Sequence, residues 1–270
     1  MLFRSVPLAA AFLRPIAHRG LHDANLDTAG SGRIENTGPA FAAAIACGYG
    51  IECDLRPAAG GLPIVFHDET LDRLIDTGPA SIGPGTYGRV ASLTPADLGR
   101  LRYRGQDERI VTFAALLAMV AGAVPLMVEV KSAWDPPDAA FLSQIATSAT
   151  RYRGPIALMS FDPAVVAILA DCAPGVPRGL VSGSYRAADG DLWWHDRLDP
   201  AQAASLRELA GFDRVAASFC AYEVAALPTA ATQAIRARGL PVFTWTVRTP
   251  ADRQAAERHA DAMIFEGFLP

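Results

Sequence analysis

Short runs of strand-forming residues alternate with Ala- and Leu-rich stretches along the chain, and this alternation limits the fold more than any other feature. The strand-like runs are "PIAHRG" (15–20), "GIECDL" (50–55), "LPIVFHD" (62–68), "PLMVEVKS" (125–132) and "PIALMSF" (155–161). They continue with "RGLVSG" (178–183), "RVAASF" (214–219), "PVFTWTV" (241–247) and "DAMIFEG" (261–267). Between them the sequence predicts helices. One runs from Thr37, with Pro39 in its first turn, to Gly48, and another from Thr112 to Ala121 ahead of Gly122. A third starts at Asp162–Pro163, and a fourth spans Pro228 to Gly239. Pro in the first turn and Gly beyond the last are ordinary helix boundaries.

Strands that alternate with helices imply a parallel sheet covered by those helices. At 270 residues a single (β/α)8 barrel, the TIM-barrel architecture, is favoured over an open doubly wound sheet, and no GxGxxG or P-loop signature argues otherwise. Nine runs compete for eight places. The second and third are separated only by "RPAAGG", too short for a helical crossover. Residues 50–68 therefore read as a strand, a β-hairpin excursion beyond the barrel mouth and a return to the rim. The run at 261–267 is then either surplus or the closing strand. Two stretches fall outside the rhythm: a Gly/Pro-rich loop at 74–93 and a polar loop at 184–199 around Trp193 and Trp194. Neither marks a boundary, so residues 1–270 are expected to form one domain.

A net charge of -4 offers no electrostatic case for nucleic acid, whose binding rests on clustered Lys and Arg. Cys47, Cys53, Cys172 and Cys220 form no CxxC pair and read as apolar fillers of a reducing compartment. The N-terminal "MLFRSVPLAAAFLRPIAHRG" carries Pro7 and Arg14 within its apolar run, a poor layout for a cleaved signal. No uninterrupted apolar stretch reaches the ~20 residues of a membrane span. The expectation is a cytoplasmic protein without stable membrane insertion, its oligomeric state left open.

The charged residues that an apolar strand should not contain collect at one end of the predicted barrel. Glu52 and Asp54 stand two apart, as do Glu129 and Lys131, so each pair points to one face of its strand. His18 and Arg19 end the first run, His67 ends the hairpin, and Trp245 lies near the end of the last long run. The C-terminal ends of barrel strands are where active sites form. Three converging carboxylates repel one another, and a hard divalent cation relieves that conflict; an all-oxygen set suits Mg2+ or Ca2+ better than Zn2+. Glu52, Asp54 and Glu129 are therefore the candidate metal ligands. His18 and His67 are the candidate acid and base near neutral pH. Arg19 and Lys131 supply fixed positive charge for an anionic substrate, most naturally a phosphate. Such a set suits phosphoester cleavage. Cys53, between the two acids, should face the helix layer.

The motifs "AHRG" (17–20), "ENT" (35–37), "ECD" (52–54), "FHDETLDR" (66–73), "VEVK" (128–131) and "FTWTV" (243–247) resemble those of the glycerophosphodiester phosphodiesterases, in the same order and over nearly the whole chain. The resemblance implies Glu52, Asp54 and Glu129 as metal ligands, His18 and His67 as the acid/base pair, and Arg19 and Lys131 as phosphate contacts. It also implies that Glu35 and Asn36 organise the rim and that Trp245 lines the pocket for the alcohol. Phe161, at the end of its strand, reads equally as core or as pocket wall, and Asp68 and Arg73 as structural locks of the "HDETLDR" turn. The chain departs from the family in a longer link from Leu21 to Ile34, and in a reduced insertion at 74–93. Phe265 and Glu266 also stand where many members have Thr and Asp. The implied reaction turns a glycerophosphodiester into glycerol 3-phosphate and an alcohol. Lysophospholipase D or sphingomyelinase-D-like action on a lipid, with the adjacent tryptophans as approach, and a non-catalytic anion-binding barrel remain alternatives.

Overall fold

A computed structural model describes residues 5–23, 32–76, 88–187 and 189–270. The barrel strands and the helices between them are labelled in chain order. They are β1 (Ile16–Ala17), α1 (Gly38–Ala46), β2 (Gly50–Pro57), α2 (Phe113–Val120), β3 (Leu126–Val130), α3 (Ala139–Arg151), β4 (Ile156–Ser160) and α4 (Pro163–Cys172). There follow β5 (Arg178–Ser182), α5 (Pro200–Arg207), β6 (Phe219–Glu223), α6 (Ala230–Ala237), β7 (Val242–Val247), α7 (Pro250–His259) and β8 (Ala262–Phe265). Every neighbouring pair of these strands is parallel, and β1 pairs with both β2 and β8, which closes the barrel. The run at 261–267 thus supplies the closing strand.

The excursion accounts for the surplus run. Pro63–Val65 returns antiparallel to the end of β2, with Leu55 opposite Val65, and then pairs with Val111–Thr112. A satellite core of Ile34, Phe66, Leu71, Val90 and Tyr103 packs beneath it. This rests the segment carrying His67 on buried apolar contacts instead of leaving it a free loop. Residues 24–31 of the Leu21–Ile34 link, 77–87 of the Gly/Pro-rich loop and 188 of the tryptophan loop lie outside the described residues.

The main core lies between barrel and helices, where Cys53 packs with Leu55, Leu116 and Leu126, facing the helix layer as expected. A second cluster, with Met127, Met159, Val181, Phe243 and Ile264, fills the barrel interior. One strand differs from expectation. The run 214–219 is mostly turn, and the strand begins only at its last residue, Phe219. Leu209 and Ala216 take left-handed backbone there, and Ala217 N–H bonds back to Phe212 O. The actual strand, "FCAYE", was hidden because it ends in a charge. Helix α6 also starts later than Pro228, with Thr229 accepting the N–H of Thr232 as its cap. Among the described residues no helix is long and apolar enough to cross a membrane.

Candidate active site

The register of β2 against β3 sets Asp54 beside Glu129, and Glu52 lies one pleat earlier on the same face. All three carboxylates are buried, and they offer oxygens within 4.8 Å of one another. Oxygens on opposite sides of one Mg2+ or Ca2+ stand roughly 4–5 Å apart, so the spread fits joint coordination. The electrostatics fit as well. Burial, then repulsion from Asp54 and Glu129, raises Glu52 well above the usual carboxylate range. Burial raises Glu129 too, with Asp54 adding and Lys131 opposing. Burial alone would also raise Asp54, but Lys131, His67 and Arg19 together hold it well below the usual value. A cage in which two of three acids resist ionisation is one a divalent cation stabilises.

Lys131 is the only lysine of the chain. Its Nζ lies 2.8 Å from Asp54 Oδ1 and 2.6 Å from Glu129 Oε1. Arg19 takes left-handed backbone just after β1, which aims its N–H at Glu52 Oε2, 3.0 Å away. Its guanidinium reaches Glu35 Oε1 at 2.8 Å and stands 3.3 Å from Asp54 Oδ2. Asn36, buried and also left-handed, donates its amide to Asp54 Oδ2 at 2.8 Å. Glu35 is the hinge of the rim: Arg73 grips it at 2.7 Å, and despite burial the two arginines hold its carboxyl down at about 2.

The two histidines are built alike. His67 Nδ1 faces Asp68 Oδ1 at 2.7 Å, and Arg73 holds Asp68 in turn through Nε at 2.6 Å. His18 Nδ1 bonds Glu266 Oε2, while Arg248 Nε holds the other oxygen at 2.6 Å and His22 Nε2 lies 3.4 Å away. An ionised carboxylate only accepts, so each histidine donates from Nδ1 and keeps Nε2 for other work. His18 Nε2 is 4.0 Å from Glu52 Oε2, at the edge of the carboxylate cage. Burial, then Lys131, lowers His67 to about 4; burial, then Arg19, lowers His18 against the pull of Glu266.

These groups open on a cavity of about 460 Å3 whose lining is divided. His18, Arg19, Glu52, His67, Glu129 and Lys131 form one side; Phe161, Trp193, Trp194 and Trp245 form the other. Phe161 stands nearly perpendicular to Trp245, with ring centres 5.5 Å apart, and both rings line the cavity. The tryptophan loop is fastened across the mouth: Arg197 meets both oxygens of Glu69 on the excursion, at 2.6 and 3.0 Å.

Every site residue expected from sequence gathers at this one mouth. Asp68 and Arg73 do lock their turn, and Asp68 also touches a histidine. Sequence reasoning treated Glu266 only as a departure from a pattern and passed over His22, Arg248, Glu69 and Arg197. A carboxylate directly after a strand that closes against the first was the one available signal for Glu266.

A closed (β/α)8 barrel with a buried carboxylate cage and two carboxylate-backed histidines at its C-terminal mouth defines a barrel of the phosphodiesterase type. Residues 18–267 match the glycerophosphoryl diester phosphodiesterase family, and the chain belongs to it. It is 34% identical over 154 residues to glycerophosphodiester phosphodiesterase 1 of Mus musculus, covering 56% of this chain and 43% of that protein. The bovine protein of the same name is 37% identical over 105 residues, covering 38% of this chain and 29% of its own length. The matches thus span less than half of these relatives. Among solved structures, a glycerophosphodiester phosphodiesterase from Agrobacterium tumefaciens shares the fold with a TM-score of 0.63 and 22% identity, covering 93% of this chain and 95% of that one. An Oleispira antarctica phosphodiesterase, solved with its product sn-glycerol-3-phosphate, gives 0.68 at 18% identity, covering 93% and 92%.

Proposed function

We propose that the protein hydrolyses glycerophosphodiesters to glycerol 3-phosphate and an alcohol, with Glu52, Asp54 and Glu129 holding one Mg2+ or Ca2+. The observation that carries this reading is the single mouth at which three buried carboxylates meet two histidines, each tied through Nδ1 to a carboxylate. The product named for the Oleispira protein is the one proposed here.

The bound cation would supply charge neutralisation at the phosphate oxygens. The chain's own groups do the rest. Arg19 and Lys131 orient the phosphate, and the histidine Nε2 atoms carry protons. One takes the proton of the nucleophile while the other gives one to the departing alcohol oxygen. Glu266 and Asp68 fix the tautomer and ring plane of their histidines, and the tryptophan wall keeps water from the leaving-group side.

The test is a metal-stripped preparation assayed on a panel of glycerophosphodiesters, with Mg2+ or Ca2+ added back, beside His18→Ala and His67→Ala. Activity should need the ion, and each variant should lose about 10²–10⁴-fold. Full activity of both variants would remove the histidines from the reaction. Turnover of lysophosphatidylcholine in preference to every glycerophosphodiester would move the substrate to the lipid.

A further inference from the structure

The aromatic side of the cavity has a composition of its own. Phe161 follows β4, Trp193 and Trp194 belong to the loop after β5, and Trp245 lies in β7; these four rings carry no charge, and Arg248, which also lines the cavity, is paired with Glu266. Tyr185 packs edge-on to Phe161, with ring centres 6.3 Å apart and planes at 90°. Trp193 and Trp245 lie 6.0 Å apart.

Behind this wall stands a carboxylate. Glu223 ends β6 in register with Trp245, and residues in register on parallel strands face the same way, here toward the barrel axis. Its Oε2 accepts the N–H of Ser184 at 2.7 Å, and among the described residues no ion pair neutralises it. Gly183 lets it close on the wall: a Cβ there would lie 2.9 Å from Glu223 Oε2 and 3.1 Å from Trp193 Cη2. The indole and the carboxylate therefore meet over the same backbone.

We infer that this side of the mouth is a quaternary-ammonium subsite, which makes a choline ester the preferred glycerophosphodiester; the inference rests on the reaction proposed above. A trimethylammonium group has no N–H to satisfy, and its diffuse charge and methyl surface are what aromatic walls hold best. A primary ammonium would need three acceptors, whereas Trp245 Nε1, without a partner among the described residues, is a donor that could serve at most one hydroxyl of an inositol or glycerol headgroup. A plain hydrocarbon would fit the rings but draw nothing from Glu223.

The experiment compares kcat/KM for glycerophosphocholine, glycerophosphoethanolamine and the glycerophosphodiester of 3,3-dimethylbutan-1-ol, the uncharged isostere of choline. The choline ester should lead both by about tenfold or more. Glu223→Gln, which keeps an acceptor for Ser184, should shrink the lead over the isostere several-fold. Equal turnover of choline ester and isostere would reduce the subsite to an apolar pocket, and equal turnover of the ethanolamine ester would overturn it. Tetramethylammonium binding, read by saturation-transfer NMR and lost in Trp193→Ala, tests the subsite without turnover. Binding with no diester hydrolysed would sink the reaction and leave the subsite standing; absence of binding would sink the subsite.

Discussion

Glu266 accepts the Nδ1 proton of His18 across 248 positions of sequence, while Arg248 Nε holds the carboxylate's other oxygen and His22 Nε2 lies 3.4 Å away. The contact exists only because β8 closes against β1, with Phe265 O taking the N–H of His18 at 2.9 Å. Glu266→Gln should therefore act through His18. We expect kcat to fall about 10²–10⁴-fold with little change in KM, as when the carboxylate behind an acid/base histidine is removed. Glu266 raises the pKa of His18, so the variant's His18 should titrate at lower pH than the wild type by NMR. An unmoved titration would show the carboxylate to be a structural contact alone.

Cation binding should depend on pH with a defined sign. Burial and mutual repulsion raise Glu52 and Glu129 above their unfolded values, so the ion-free fold loses stability as pH rises through that window. A divalent cation must displace those protons, and its stabilisation should grow with pH. At a hundredfold excess over Kd it is worth about 2.7 kcal/mol, or about 5–10 °C in Tm at pH 8, and much less at pH 4.5. A Tm gain independent of pH would place the ion elsewhere.

Lys131→Met removes the ammonium between Asp54 and Glu129. Leaving buried partners unpaired costs about 3–5 kcal/mol, and urea unfolding in chelator should show a loss of that order. Saturating Mg2+ should recover much of it, since the ion takes over the neutralisation. The same loss with and without Mg2+ would separate Lys131 from the cage.

Arg197→Ala should loosen the tryptophan loop. The pair with Glu69 is partly exposed, so its contribution to global stability is about 1 kcal/mol or less. KM should rise several-fold, and protease cleavage within 184–199 should become faster. Unchanged cleavage and KM would mean that the aromatic wall holds without this tie.

The sequence carried the parts of the site that local geometry dictates. Glu52 with Asp54, and Glu129 with Lys131, were legible because a strand's period of two forces each pair to one face. His67 was legible as the end of an excursion too short to be a crossover. What stayed hidden depends on closure. Glu266 meets His18, and Arg197 meets Glu69, through contacts 248 and 128 positions apart that no local pattern encodes. The strand before Glu223 was misplaced because its apolar run is short and ends in a charge. With it went Glu223, the carboxylate behind the aromatic side.

The carboxylate cage as the site of the cation is tested most directly by anomalous diffraction from crystals soaked in Mn2+, since the described residues hold two groups able to take an ion. One peak within ~2.1–2.4 Å of oxygens from Glu52, Asp54 and Glu129 is the result expected here. A peak among His18, His22 and Glu266, or none at the cage, would contradict it.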